Sequence, residues 1–174
     1  MVSLKSKNPD LKVLLSLGGW GGCKTCSADW MVKALIDIGV PTEKLIVGGA
    51  FYGKIFENVE STNNGLGQPA KFKTTVQYKN MPTAFPADSG WVYHWDKTAS
   101  APYLYNELKG QFYTFDDKTS IAAKTQYVID NKLGGIMYWH LGQDVYTDGL
   151  LNEIDKVKRT SLHGTSTCQA KRGL

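Results

Sequence analysis

Three features of this chain carry residue types that could do chemistry. Cys23-Lys24-Thr25-Cys26 places two thiols two residues apart, ahead of a candidate helix. A helix N-terminus favours the thiolate, so such a pair is suited to thiol–disulfide exchange. A local disulfide, or simply two loop thiols, is the favoured reading of the same residues. Asp116-Asp117 is the sole acidic doublet, and it stands just before a helical pattern, where N-capping accounts for it better than acid–base work. Lys12-Val13-Leu14-Leu15-Ser16-Leu17-Gly18-Gly19-Trp20 is an apolar run ending in a glycine pair and an indole. The glycines let a ligand or another backbone come close, and the indole offers an apolar face with a polar edge.

These residues need a scaffold, and composition bounds it. The chain has 174 residues, 42% hydrophobic and 21% charged, which suits one domain or one domain with an elaborated insertion. A complete (β/α)8 barrel needs roughly 250 residues, so the chain is short for one. The net charge of +4 comes with scattered lysines rather than a basic cluster, so no nucleic-acid partner is expected. No apolar run reaches the roughly 18 residues of a membrane span, and no membrane partner is expected. Three Cys with no Cys/His partner pair argue against a structural zinc site; no metal or cofactor is expected, and Cys168 reads as a free thiol. Met1 to Asp10 is polar and lacks the apolar core of a signal peptide.

Periodicity predicts alternating strands and helices. Residues 11–17 read as a buried parallel strand. Ser27 is a candidate N-cap, and Trp30, Met31, Ala34, Leu35 and Ile38 share one helix face before Gly39 and Pro41 stop it. Residues 45–51 are a second buried strand, completing a right-handed βαβ unit. The interval 54–118 changes character, with alternation at Gly90–Trp95 and Gln111–Phe115 and turn signals at Asn64-Gly65 and Lys109-Gly110. A connection this long must be structured, so a small α+β subdomain is expected. Its Trp91, Tyr93, Trp95 and Tyr103 either wall a cleft or form its core, and core is favoured. A helix at about 120–132, with Ile121, Thr125, Val128 and Ile129 inward, a strand at 135–141 and a helix at about 148–158 follow. The fold class is therefore α/β, with residues 1–53 and 119–159 forming the parallel part, 54–118 an insertion, and 160–174 a polar tail.

Several segments, in order, resemble the family 18 glycoside hydrolases, the chitinase family. Ser16-Leu17-Gly18-Gly19-Trp20 is similar to that family's third barrel strand. Gly39-Val40-Pro41 with Leu45 to Lys54 is similar to strand seven, residues 54–118 to the inserted domain that follows it, and Gly134-Gly135-Ile136-Met137-Tyr138-Trp139 to strand eight. The segment Tyr113 to Lys124 resembles the approach to helix seven, and Asp148-Gly149-Leu150-Leu151 the start of the helix after strand eight. The resemblance implies a partial TIM-barrel-like parallel sheet, lacking strands one and two and, between Cys26 and the helix at 28–38, strands four to six.

The family's acid motif, Asp-x-x-Asp-x-Asp-x-Glu, occurs nowhere in these residues, so no catalytic residue is assigned and no glycosidase activity is expected. In that family a Glu protonates the leaving oxygen while the sugar's acetamido group attacks, an exception to the two-carboxylate scheme. The resemblance implies chitin or chito-oligosaccharide as the partner. Trp139 would floor the cleavage point, Trp20 would line the leaving-group side, and Tyr52 would face the cleft. Lys54 stands where Arg is usual, which keeps the charge but loses the bidentate fork. His140 stands where an acid is common. The implied functions are a hydrolase lineage or a non-catalytic binder of chito-oligosaccharides. The resemblance also implies secretion. The rival, a thioredoxin-like use of Cys23 and Cys26, is disfavoured because Pro41 follows Cys26 too closely for that fold. A barrel cut to strands three, seven and eight would have unpaired edges. A rearranged small sheet, self-association through those edges, or residues omitted near Cys26–Asp29 would each resolve that.

Overall fold

A computed structural model describes residues 7–8 and 27–169. The expected strand at 11–17, Trp20, Cys23 and Cys26 lie outside the described residues, as does the side chain of Cys168.

The first described element is α1 (Ala28–Asp37). Ser27 caps it, its hydroxyl accepting from the Trp30 amide at 3.1 Å. The helix docks through Val32 and Leu35 onto Leu45, Val47 and Val128. The expected apolar face is therefore rotated: Trp30 and Ile38 are exposed, because Val32 rather than either of them meets the sheet. After Pro41 comes β1 (Ile46–Ala50), which pairs in parallel with β7 (Gly135–Trp139), Ile46 opposite Gly135 and Ala50 opposite Trp139.

One face of this parallel pair is covered by helices. α3 (Lys118–Asp130) places Ile121, Thr125 and Val128 inward, the expected spacing. Gly49 exists for close approach, since a Cβ there would lie 2.8 Å from the Ile121 methyl. α4 (Leu150–Gln169) adds Leu150 and Ile154 to the same core, around Phe51 and Tyr138, whose rings stack at 4.9 Å. It continues well past the end expected near residue 158.

Between β1 and α3 the chain builds a five-stranded antiparallel sheet in the order β3-β2-β6-β5-β4. Its strands are β2 (Tyr52–Glu57), β3 (Lys71–Gln77), β4 (Val92–Asp96), β5 (Ala101–Asn106) and β6 (Gln111–Thr114), with one short helix, α2 (Met81–Ala84). Each face buries its own cluster. Val59, Tyr103 and Tyr105 lie with Phe56 and Phe112 on one side; Leu104, Tyr113 and Phe115 lie with Ile55, Phe85 and Trp91 on the other. The Asn64-Gly65 signal falls in a 3-10 turn, Thr62–Gly65, where a Cβ on Gly65 would strike the Tyr105 ring, at φ +78°. Tyr103 and Trp91 join the core as favoured, whereas Tyr93 is half exposed.

Candidate functional site

In α/β folds, ligands gather at the carboxyl ends of the parallel strands. Here those ends are Ala50 and Trp139. Side chains alternate along β7, so Tyr138 points into the helical core and Trp139 to the opposite face. That face is open: Trp139 is 64% exposed, and Ile46, Met137 and Leu141 share its exposure. An indole this bare, on a strand whose neighbours pack well, is not serving the described core.

The turn after β7 is built tightly around Trp139. The Trp139–His140 peptide is cis. The His140 imidazole sits edge-on to the indole, centroids 5.9 Å apart. Its Nδ1 accepts from the Gly142 amide at 3.2 Å, and the Gln143 side-chain oxygen accepts from the His140 amide at 3.3 Å. Nδ1 is thus occupied as an acceptor, so the neutral ring carries its proton on Nε2. Lys79 donates to the Gly142 carbonyl at 2.7 Å, tying this turn to the end of β3.

On the other strand, the Phe51 amide donates to the Trp139 carbonyl at 3.0 Å, and β2 begins at once with Tyr52. Tyr52 and Lys54 are both half-buried and share one face of β2, with Lys54 opposite Thr114 and Thr75. The structure therefore brings Trp139 and the start of β2 to one strand end, and Lys54 one pleat further into the inserted sheet.

The acids near this end are structural. Asp116, 5% exposed, accepts from the Ala50 amide at 2.9 Å, from Ser120 Oγ at 2.8 Å and from Lys124 Nζ at 2.6 Å. It pins the residue that pairs with Trp139 to α3. Asp117 takes the N-cap, accepting from the Ser120 amide at 2.8 Å in a reciprocal capping box. Asp144 is spent on the amides of Val145, Leu150 and Leu151 at the start of α4. The sequence located the doublet but gave no signal that Asp116 would reach back 66 residues to β1. Among the described residues no cluster of three or more His, Cys, Asp or Glu is placed to hold a metal ion. No described helix is long and apolar enough to cross a membrane.

A helix-backed parallel strand pair, an antiparallel sheet inserted directly after the first strand, and an exposed aromatic at the second strand's carboxyl end define part of an α/β barrel with an inserted domain. Residues 22–144 match the model of the glycosyl hydrolases family 18, and the chain belongs to that family. Chitinase B of Serratia marcescens is 28% identical over 160 residues, covering 78% of this chain and 32% of that protein. A family 18 N-acetylglucosaminidase from Paenibacillus barengoltzii superposes with a TM-score of 0.67 at 30% identity, over 81% of this chain and 41% of that one. A chitinase-like agglutinin from Robinia pseudoacacia gives 0.62 at 30% identity, over 75% and 37%. The chain thus spans about a third or less of three curated relatives it matches, at 32%, 17% and 12% of their lengths.

Proposed function

We propose that this chain binds chitin-derived N-acetylglucosamine oligosaccharides on the open face of the parallel pair, without hydrolysing them as a 174-residue chain. The exposure of Trp139 at the carboxyl end of β7 carries the reading. A pyranose ring stacks its C–H face on the indole, as amphipathic ligands do on aromatic planes. Tyr52 extends the aromatic surface from β2 and Lys54 supplies a cationic donor beyond it; the family resemblance adds Trp20, outside the described residues, as a contact on the leaving-group side. The binder reading is favoured over the hydrolase because the acid motif is absent from the sequence and Asp116, Asp117 and Asp144 are each committed to packing or capping. The similarity to an agglutinin as well as to hydrolytic enzymes agrees with this division between binding and catalysis. In this reading residues 1–53 and 119–159 are the barrel part and 54–118 the insertion, and the two Cys near the start play no redox role.

The experiment is a titration of N-acetylglucosamine tetramer against intrinsic Trp fluorescence, with Trp139→Ala in parallel. A saturable change that weakens about two- to tenfold in the variant is expected, since stacking on one aromatic contributes about 0.5–1.5 kcal/mol. No response from the unmodified chain, or an unchanged response in Trp139→Ala, refutes the assignment. Release of a fluorophore from a chitobioside substrate, persisting through purification, refutes the claim of inactivity.

A further inference from the structure

A second concavity is lined by none of the residues assigned to the sugar surface above. It has a volume of 380 Å³ and sits in the seam between the inserted sheet and the helical layer. Its floor is apolar, made by Met81, Leu104 and Phe115. Its walls carry two phenol rings, Tyr78 and Tyr93. Tyr78 packs with Tyr138 and Phe51 in the helix-side core, which fixes the cavity on the face of β7 opposite Trp139. The size is at the small end of ligand pockets and suits a compact ligand.

The mouth has a charge imbalance. Asp148 is satisfied by Lys118 at 2.6 Å, and behind them Glu153 and Lys156 face each other at 3.4 Å. Asp117 accepts from the Tyr93 hydroxyl at 3.0 Å and the Ser120 amide at 2.8 Å, but no ion pair to it exists among the described residues. The lining thus carries two carboxylates, Asp117 and Asp148, and one ammonium, Lys118, and the carboxylate without an ion-pair partner among the described residues is Asp117, beside a phenol and an apolar floor. A cation is drawn to that carboxylate. A neutral ligand lacks that attraction.

We propose that this seam is a second ligand site, taking one ammonium-bearing pyranose with the ammonium at Asp117 and the ring on Tyr93 and the floor. The ammonium follows from the local charge; the choice of a pyranose rests on the chitin-related reading above. A deacetylated unit of that polymer has this chemistry.

The test titrates glucosamine into the isotope-labelled 174-residue chain at low ionic strength, following backbone amide shifts. Saturable shifts at Tyr93, Asp117, Lys118 and Val145 are expected. Asp117→Asn keeps an N-cap acceptor while deleting the charge, and weakens glucosamine about fivefold, the value of an exposed ion pair. N-acetylglucosamine, which lacks the charge, binds this site more weakly by a similar factor. Val145→Trp fills the cavity and abolishes the shifts. Trp139→Ala leaves them intact, so failure of the tetramer to bind at Trp139 is read separately from failure here. Absence of shifts at these amides, or glucosamine binding that is indifferent to Asp117→Asn, overturns the site. Equal binding of cyclohexylamine overturns the pyranose.

Discussion

Removing the Asp116 carboxylate should destabilise the chain more than any other single truncation of an acid among the described residues. In Asp116→Ala three donors lose their acceptor. The Ala50 amide is held within the parallel pair, and stranding a buried N–H costs about 1–3 kcal/mol. Lys124 loses its counter-ion. Breaking a fully buried pair costs about 3–5 kcal/mol, but the Lys124 side chain is 32% exposed and recovers hydration, so about 1 kcal/mol is appropriate. Ser120 Oγ keeps a contact with the Asp117 carbonyl at 3.2 Å and loses little. The total is about 3 kcal/mol, which for a chain of this size lowers Tm by roughly 6–12 °C. Asp116→Asn retains an acceptor for Ala50 and should cost about half as much. Lys124→Met leaves a carboxylate buried with only an amide and a hydroxyl as donors, so Asp116→Ala in that background should cost clearly less than it does alone. Urea unfolding followed by far-ultraviolet circular dichroism measures all four species. A loss below about 1 kcal/mol for Asp116→Ala, or strict additivity with Lys124→Met, would refute the claim that this carboxylate ties β1 to α3.

Two further outcomes follow from the inserted sheet. Gly53→Ala would drive a methyl into the Tyr113 ring and the Thr114 carbonyl, and Tyr113 is fully buried with Phe85 at 4.4 Å. An overpacking cost of about 2 kcal/mol or more is expected in urea unfolding, and a neutral result would contradict the close approach of β2 and β6. The Tyr93 phenol is pushed up to about 12, by burial first and then by its hydrogen bond to Asp117. The folded chain therefore holds this proton more tightly than the unfolded one. Its contribution is fully present below the ordinary value of 10 and is lost as pH rises toward 12. Tyr113 and Tyr127 are raised as well, so phenolate absorbance should show a group of late-titrating tyrosines, one of which moves earlier in Asp117→Asn; an unmoved titration would exclude the bond.

What could be read from the sequence was what repeats locally. The Ser27 cap, the 121-125-128 spacing of α3 and the alternation of β6 are each set by residues within a turn or a pleat of one another. They appeared where expected. The doublet shows the limit. Asp117 caps the helix beside it, a contact across three residues, while its neighbour reaches β1 across 66. Both are aspartates before a helix, and only the fold separates their roles. α4 differs for another reason. Its later turns are rich in Ser, Thr and Gly, residues of weak helix propensity, so the pattern reads as a tail although the backbone remains helical to Gln169.

The aromatic residues show a second limit. Alternation sorts Tyr138 from Trp139 and Trp91 from Val92, but it does not say which face of a sheet will be covered. Family resemblance supplied that for Trp139, and the described structure leaves it bare. For Tyr93 neither source did. Its neighbours Trp91 and Tyr103 enter the core, yet Tyr93 sits half exposed with its hydroxyl on Asp117, because the helical layer approaches the sheet there without closing on it. The two most exposed aromatic candidates are thus the C-terminal indole of the parallel pair and the phenol of the seam, on strands of different sheets. A ligand that satisfies one need not reach the other. This is why Trp139→Ala and Asp117→Asn are expected to separate a neutral acetylated oligosaccharide from a cationic sugar, a result that a single extended cleft would not give.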